Sequence, residues 1–292
     1  MVRTIVAGID GSPESRAAAD WAAREARLRG LPLEVVHVWE PVPGPLAQAP
    51  MLGAETHQHW TQRIPRETAE ALRARHPEVE ITEEQRSGRP AEVLTDAAKD
   101  AELLVLGSRG MSGFGGFLVG SVGLAVIAHA EVPVVLVRAP EEGAAAGAAE
   151  PAGPVLLGLD IAAPDEAVLS FAFEEAARRK TSLKVLHSWN LPSYYAYSLA
   201  AGVDPYDEIA RQQSEALTEV LASWRQKFPG VEVVAESGMG SAAAHLIEAS
   251  REASLVVVGR RVRRGVLGAH VGSVTHAVLH HAEAPVAVVA HG

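Results

Sequence analysis

"TIVAGIDGSPESRAAADWAAREARLRGLPLEVVHVW", residues 4–39, sets one helical pattern between two short Val/Ile-rich runs. Residues 4–9 and 33–39 read as buried strands. Between them Ala18, Trp21, Ala22 and Ala26 recur at helical spacing. Ser12 offers an N-cap, Pro13 a first helical position and Glu14 an anion at the positive end of the helix dipole. Working outward, the patterns predict a helix over 56–75, a strand over 79–84 and a helix over 91–99. A strand over 102–106, a helix over 118–129 and a strand over 133–138 follow. Strands that alternate with helices in this way form a parallel sheet wrapped on both faces. The expected fold class is α/β, doubly wound and Rossmann-like, with an assumed strand order of 3-2-1-4-5.

The same text returns as "PVLLGLDIAAPDEAVLSFAFEEAARRKTSLKVLHSW", residues 154–189. Asp10 pairs with Asp160, His37 with His187 and Trp39 with Trp189 at one constant offset. Farther on, Gly107 pairs with Gly259, Gly120 with Gly272, Ser121 with Ser273, His129 with His281 and Pro133 with Pro285, the offset having grown by two. A domain-sized period indicates tandem duplication, not a solenoid. The Ala/Gly/Pro/Glu stretch between the copies reads as a linker. The expected layout is a domain over 1–139, a linker over 140–153 and a second domain over 154–292.

Composition narrows the function. A length of 292 residues suits two domains, and 48% hydrophobic with 21% charged residues describes a globular chain. A formal charge of −10 argues against a sequence-independent grip on nucleic acid, which needs a basic face. With no cysteine, thiolate catalysis, disulfides and Cys-ligated metals are excluded. The opening "MVRTIVAGID" enters an expected strand directly, without a signal peptide's charged and apolar regions, so a cytoplasmic location is expected. Met111 to Ala128 carries no formal charge, but its glycines make it a poor membrane span, and no membrane role is expected.

"VLGSRGMSGFGGFLVGSVGLAVI", residues 105–127, packs seven glycines into twenty-three positions. Glycine costs most to order, so this density implies that something approaches the backbone closely. In the assumed winding, Asp10 after the first strand and Gly107 after the fourth overlook the crevice where the winding reverses. A loop of bare amides that ends at a helix start suits a phosphate chain. A Walker A loop is ruled out by the lack of lysine, and G-x-G-x-x-G and G-x-S-x-G also fail. The match that holds is Gly107-x2-Gly110-x9-Gly120-Ser121.

With Asp10, that spacing resembles the universal stress protein family in its tandem form, over essentially the whole chain. The resemblance implies two adenine nucleotide alpha hydrolase-like domains and an ATP site in the first. It places Asp10 near the ribose or adenine, and the main chain of Gly8, Ile9 and Val38 beside the base. Gly107, Ser108, Gly110 and Gly113, with Gly120, Ser121 and Val122, would hold the phosphates. Arg109 adds a phosphate contact by charge and position, and Mg2+ is compatible with such a site. The equivalent set in the second copy is Gly158, Asp160, Gly259, Arg260, Arg261, Gly272, Ser273 and Val274. There Val262 replaces Gly110, which is costly if that position needs positive φ, while Arg260, Arg261, Arg263 and Arg264 gather positive charge. The resemblance also implies an internal pseudo-dimer joined through the fifth strands, and a homodimer is a further expectation.

The expected function is a regulatory ATP-binding module that acts through nucleotide-dependent conformation or association. The alternative is a slow ATP hydrolase or adenylyl-transfer enzyme using the same site. No catalytic residue is assigned, because no carboxylate or histidine is placed to orient a nucleophile. His276 and His280 lie one helical turn apart without an obvious third ligand, so no metal site is expected. His129 and His281 fall on apolar helical stripes and read as packing residues. His37 and His187 sit inside strand patterns and likewise read as packing residues. Residues 39–60 read as a long loop near the crevice.

Overall fold

The computed structural model describes residues 3–40, 54–108, 119–139, 153–191, 206–262 and 271–292, with side chains from residue 63 onward in the second segment. Arg109, Gly110, Gly113, Arg263, Arg264, most of the expected linker and most of the 39–60 loop lie outside the described residues. The chain divides into two compact units, each an α/β sheet. The first runs β1 (Ile5–Ile9), α1 (Pro13–Arg29), β2 (Leu33–Trp39), α2 (Ala54–Arg75), β3 (Ile81–Ser87), α3 (Pro90–Ala97), β4 (Leu103–Gly107), α4 (Ser121–His129) and β5 (Val134–Val137). The second runs β6 (Val155–Gly158), α5 (Glu166–Arg179), β7 (Leu183–Trp189), α6 (Tyr206–Lys227), β8 (Val233–Met239), α7 (Ala242–Ala249), β9 (Leu255–Arg261), α8 (Ser273–His281) and β10 (Val286–His291).

Strand order in the first unit is β3-β2-β1-β4-β5, all parallel, which is the expected winding. The second unit repeats it as β8-β7-β6-β9-β10. The central strands are apolar without alternation because helices cover both faces. Ile5, Val6 and Ala7 of β1 and Leu103, Leu104 and Val105 of β4 are fully buried.

Local sequence explains the helix limits. Ser12 Oγ accepts the Ser15 amide at 3.1 Å, Pro13 opens α1, and Gly30 ends it at φ +64°. Several limits differ from expectation: α2 begins at Ala54, inside the expected 39–60 loop, β3 runs on to Ser87, and α3 ends at Ala97. β3 begins at Ile81 because Val79 instead buries its side chain in the preceding turn, its amide bonded to the His76 carbonyl. α4 begins at Ser121, with Gly120 as its N-cap.

The histidine stripe needs correction. His129 and His281 are exposed, and His129 Nδ1 bonds back to the Ala125 carbonyl at 2.7 Å. The ring thus folds back on a carbonyl of its own helix instead of packing into the core. His280, one position earlier than His281, is the buried residue.

Candidate functional site

The reversal of winding falls between β1 and β4. Gly8 lies opposite Leu106, and Ile9 opposite His37 on β2. The carboxyl ends of three adjacent strands therefore bring Ile9–Asp10, His37–Val38 and Gly107–Ser108 to one rim. Asp10 Oδ1 accepts the Ser12 amide at 3.0 Å, across a turn in which Gly11 takes φ +87°. The Gly120 amide donates to the Ser108 carbonyl at 2.9 Å, which fastens the start of α4 to the end of β4. Ser121 and Val122 are exposed there.

Helix α4 starts without a side-chain cap, because Gly120 has none to offer. Helices α1, α5 and α7 are each capped by a Ser or Asp side chain. The uncapped start of α4 leaves first-turn amides facing outward with the positive end of the dipole. This rim can accept an anion.

Gly107 also has a packing role, which its motif does not reveal. A Cβ there would lie 2.8 Å from the Glu14 carbonyl carbon and 2.8 Å from the Ser15 nitrogen. The close approach is made by the first turn of α1 itself. Gly107→Ala is therefore expected to destabilise the fold by about 1–3 kcal/mol. At Gly272 an added Cβ meets nothing within 4 Å among the described residues, so Gly272→Ala should cost less than about 1 kcal/mol, as an exchanged N-cap. Urea midpoints of the two variants check this, and equal losses would refute the steric account. Gly8 is likewise packed, its missing Cβ making room for Leu94 and Leu106, as Gly158 does for Leu246.

Two side chains at the rim were not given a binding role from sequence. His37 is 5% exposed, and its Nδ1 has no partner among the described residues. Burial pushes its imidazole below the ordinary range, against the opposing pull of the Asp10 carboxylate. Arg16 donates to the Gly11 carbonyl at 2.7 Å, which sets a cation beside the β1–α1 turn. Its position six residues after Asp10, on the first turns of α1, was the available signal. Ser108, a sequence candidate, is 3% exposed, with an Oγ that lacks a partner among the described residues.

The second unit places its candidates differently. Asp160 repeats the turn, accepting the Ala162 amide at 3.0 Å. Gly259 lies within β9, which continues to Arg261, so Arg260 and Arg261 are strand residues. Arg260 is 4% exposed, while Arg261 is exposed. The feared strain at Val262 is absent, since its φ is not positive and its amide donates to the His291 carbonyl at 2.7 Å. Gly272 caps α8, with Ser273 and Val274 exposed after it. His276 and His280 lie close, yet no group of three metal-ligating side chains occurs among the described residues. No helix among the described residues is long and apolar enough to cross a membrane.

Fold and rim together define a tandem doubly wound α/β protein, with its winding reversed between β1 and β4 in the first unit. The chain belongs to the universal stress protein family, whose model matches residues 1–138 and again 152–290. It is 34% identical to a universal stress protein of Mycolicibacterium smegmatis over 296 residues, 98% of this chain and 96% of that one. A universal stress protein of Mycobacterium tuberculosis strain H37Rv is 34% identical over 293 residues, 97% of this chain and 95% of that one. Among solved structures, a universal stress protein from Archaeoglobus fulgidus covers 99% of this chain and 98% of its own, with TM-score 0.69 and 18% identity. That last likeness is one of fold.

Proposed function

We propose that this universal stress protein binds ATP at the β1–β4 rim of its first unit and acts as a regulatory module through nucleotide-dependent conformation or association. The uncapped start of α4, fastened to the end of β4 and beside Asp10, carries the reading. Bare amides and a helix dipole suit a phosphate chain without a lysine. In this reading Ser121 and Val122, with Gly107, Ser108, Arg109, Gly110, Gly113 and Gly120, hold the phosphates. Asp10 meets the ribose or adenine, and the main chain of Gly8, Ile9 and Val38 borders the base. Mg2+ would neutralise phosphate charge. The domain limits 1–139, 140–153 and 154–292, an association of the copies into a pseudo-dimer, a homodimer and a cytoplasmic location belong to the same proposal.

Isothermal titration of the full chain with Mg-ATP is expected to give saturable heat at up to millimolar nucleotide. A folded preparation that gives no heat would end the ATP reading. A turnover in the ordinary enzymatic range, about 1–1000 per second, would replace the regulatory reading with a catalytic one.

A further inference from the structure

The two units share a topology but spend their rim groups differently. In the first, His37 Nδ1 and Ser108 Oγ are buried without partners among the described residues. In the second, the imidazole of His187 is engaged at both nitrogens, by the Leu159 carbonyl at 3.1 Å and by Gln213 Oε1 at 3.0 Å. Ser108 is replaced by the buried Arg260, and the amide two residues farther on, at Val262, is bound to His291. Thr275, standing where the first unit has Gly123, gives its hydroxyl to the Gly259 carbonyl at 2.9 Å. A buried polar group that already has its bond gains nothing from a ligand, whereas one without a bond gains by acquiring one.

The first βα turn differs in charge as well. The first unit has Ser15 and Arg16 where the second has Asp165 and Glu166. Asp165 Oδ1 caps α5, and its other oxygen stands 3.6 Å from His291 Nδ1. The His291 ring lies against Gly259, 2.9 Å from where a Cβ would stand. In the first unit that place belongs to the Glu14–Ser15 turn of α1. The second unit begins α5 later and fills the gap with its own histidine. A carboxylate pair in place of a hydroxyl and a guanidinium repels a triphosphate. The start of α8 remains uncapped, as α4 does, so among the described residues the difference lies in the strand ends and the first turn.

Building on the ATP reading, we infer that the chain holds a single nucleotide, in its first unit, and that the second unit has closed the equivalent site with its own side chains. Native mass spectrometry and calorimetry of the full chain with Mg-ATP should both give one nucleotide per chain. Ser121→Glu sets a carboxylate on an exposed position at the start of α4, and should weaken binding at least about tenfold, with the circular dichroism unchanged. Hydrogen exchange on the unmodified protein supplies a readout independent of any variant. ATP should protect residues 103–108 and 119–129, and leave 255–262 and 271–281 as they were.

Two nucleotides per chain, or protection at 255–262 and 271–281, would overturn the inference and leave the ATP reading standing. Undiminished binding by folded Ser121→Glu would overturn the inference together with the placement of ATP at the first-unit rim. An absence of any nucleotide at millimolar Mg-ATP would overturn both.

Discussion

Phe173→Ala should lower the stability of the second unit by about 3–5 kcal/mol, the range for deleting a buried aromatic. Phe173 is fully buried on α5. Its ring centroid lies 5.6 Å from Trp224 and 5.4 Å from Phe228, both reached from the α6 side. Trp224 and Phe228 stack at 6.2 Å, and Lys227 Nζ stands 4.7 Å over the indole. Truncation removes the ring that both others touch, and aromatic pairs carry energy beyond their area. Urea unfolding followed by near-ultraviolet circular dichroism measures the loss. A cost below about 1 kcal/mol would show that the site collapses around the smaller residue.

The same position in the first unit is Ala23, also fully buried. There α1 meets the end of α2 through charge: Asp20 pairs with Arg24 and Arg75 and lies 3.3 Å from His76 Nε2. Duplication preserved the contact between helices while its chemistry diverged. Charged pairs of this half-exposed kind contribute little each, so the aromatic cluster is the more sensitive of the two seams.

Arg29→Met should be comparably damaging in the first unit, by about 3–5 kcal/mol, the range for breaking a buried ion pair from one side. Arg29 Nε donates to Glu25 Oε1 at 2.7 Å, with the side chains 5% and 1% exposed. Arg29 also reaches Glu102 at 3.4 Å, which ties α1 to the start of β4. Removing the guanidinium takes this counter-ion from a buried carboxylate. The double variant Glu25→Leu/Arg29→Met removes both charges and should recover most of the loss. A double variant no better than the single would show that packing, not the stranded charge, sets the cost. The second unit repeats the pair as Glu175 and Arg179 at 3.2 Å.

Much of this was legible in the sequence because it depends on local periodicity. The Val/Ile runs at 4–9 and 33–39 and the Ser12–Pro13 helix start fix β1–α1–β2 from neighbouring residues alone. Asp10 and the Gly120–Ser121 pair marked the rim, since turn and helix-start chemistry is read from adjacent positions. Where the structure differs, contacts between distant residues are responsible. The packing of the first turn of α1 against Gly107 could not be read from its motif. His129 fits an apolar stripe, yet its ring folds back on its own helix.

By itself, the sequence determined the duplicated alternation of strands and helices and the family, because hydrophobic period and motif spacing are local properties repeated twice along the chain. Which rim groups are spent and which are unspent was decided only by the tertiary structure. Whether an imidazole nitrogen or a strand-end amide has a partner depends on residues brought beside it by folding, such as Gln213 beside His187 and His291 beside Val262.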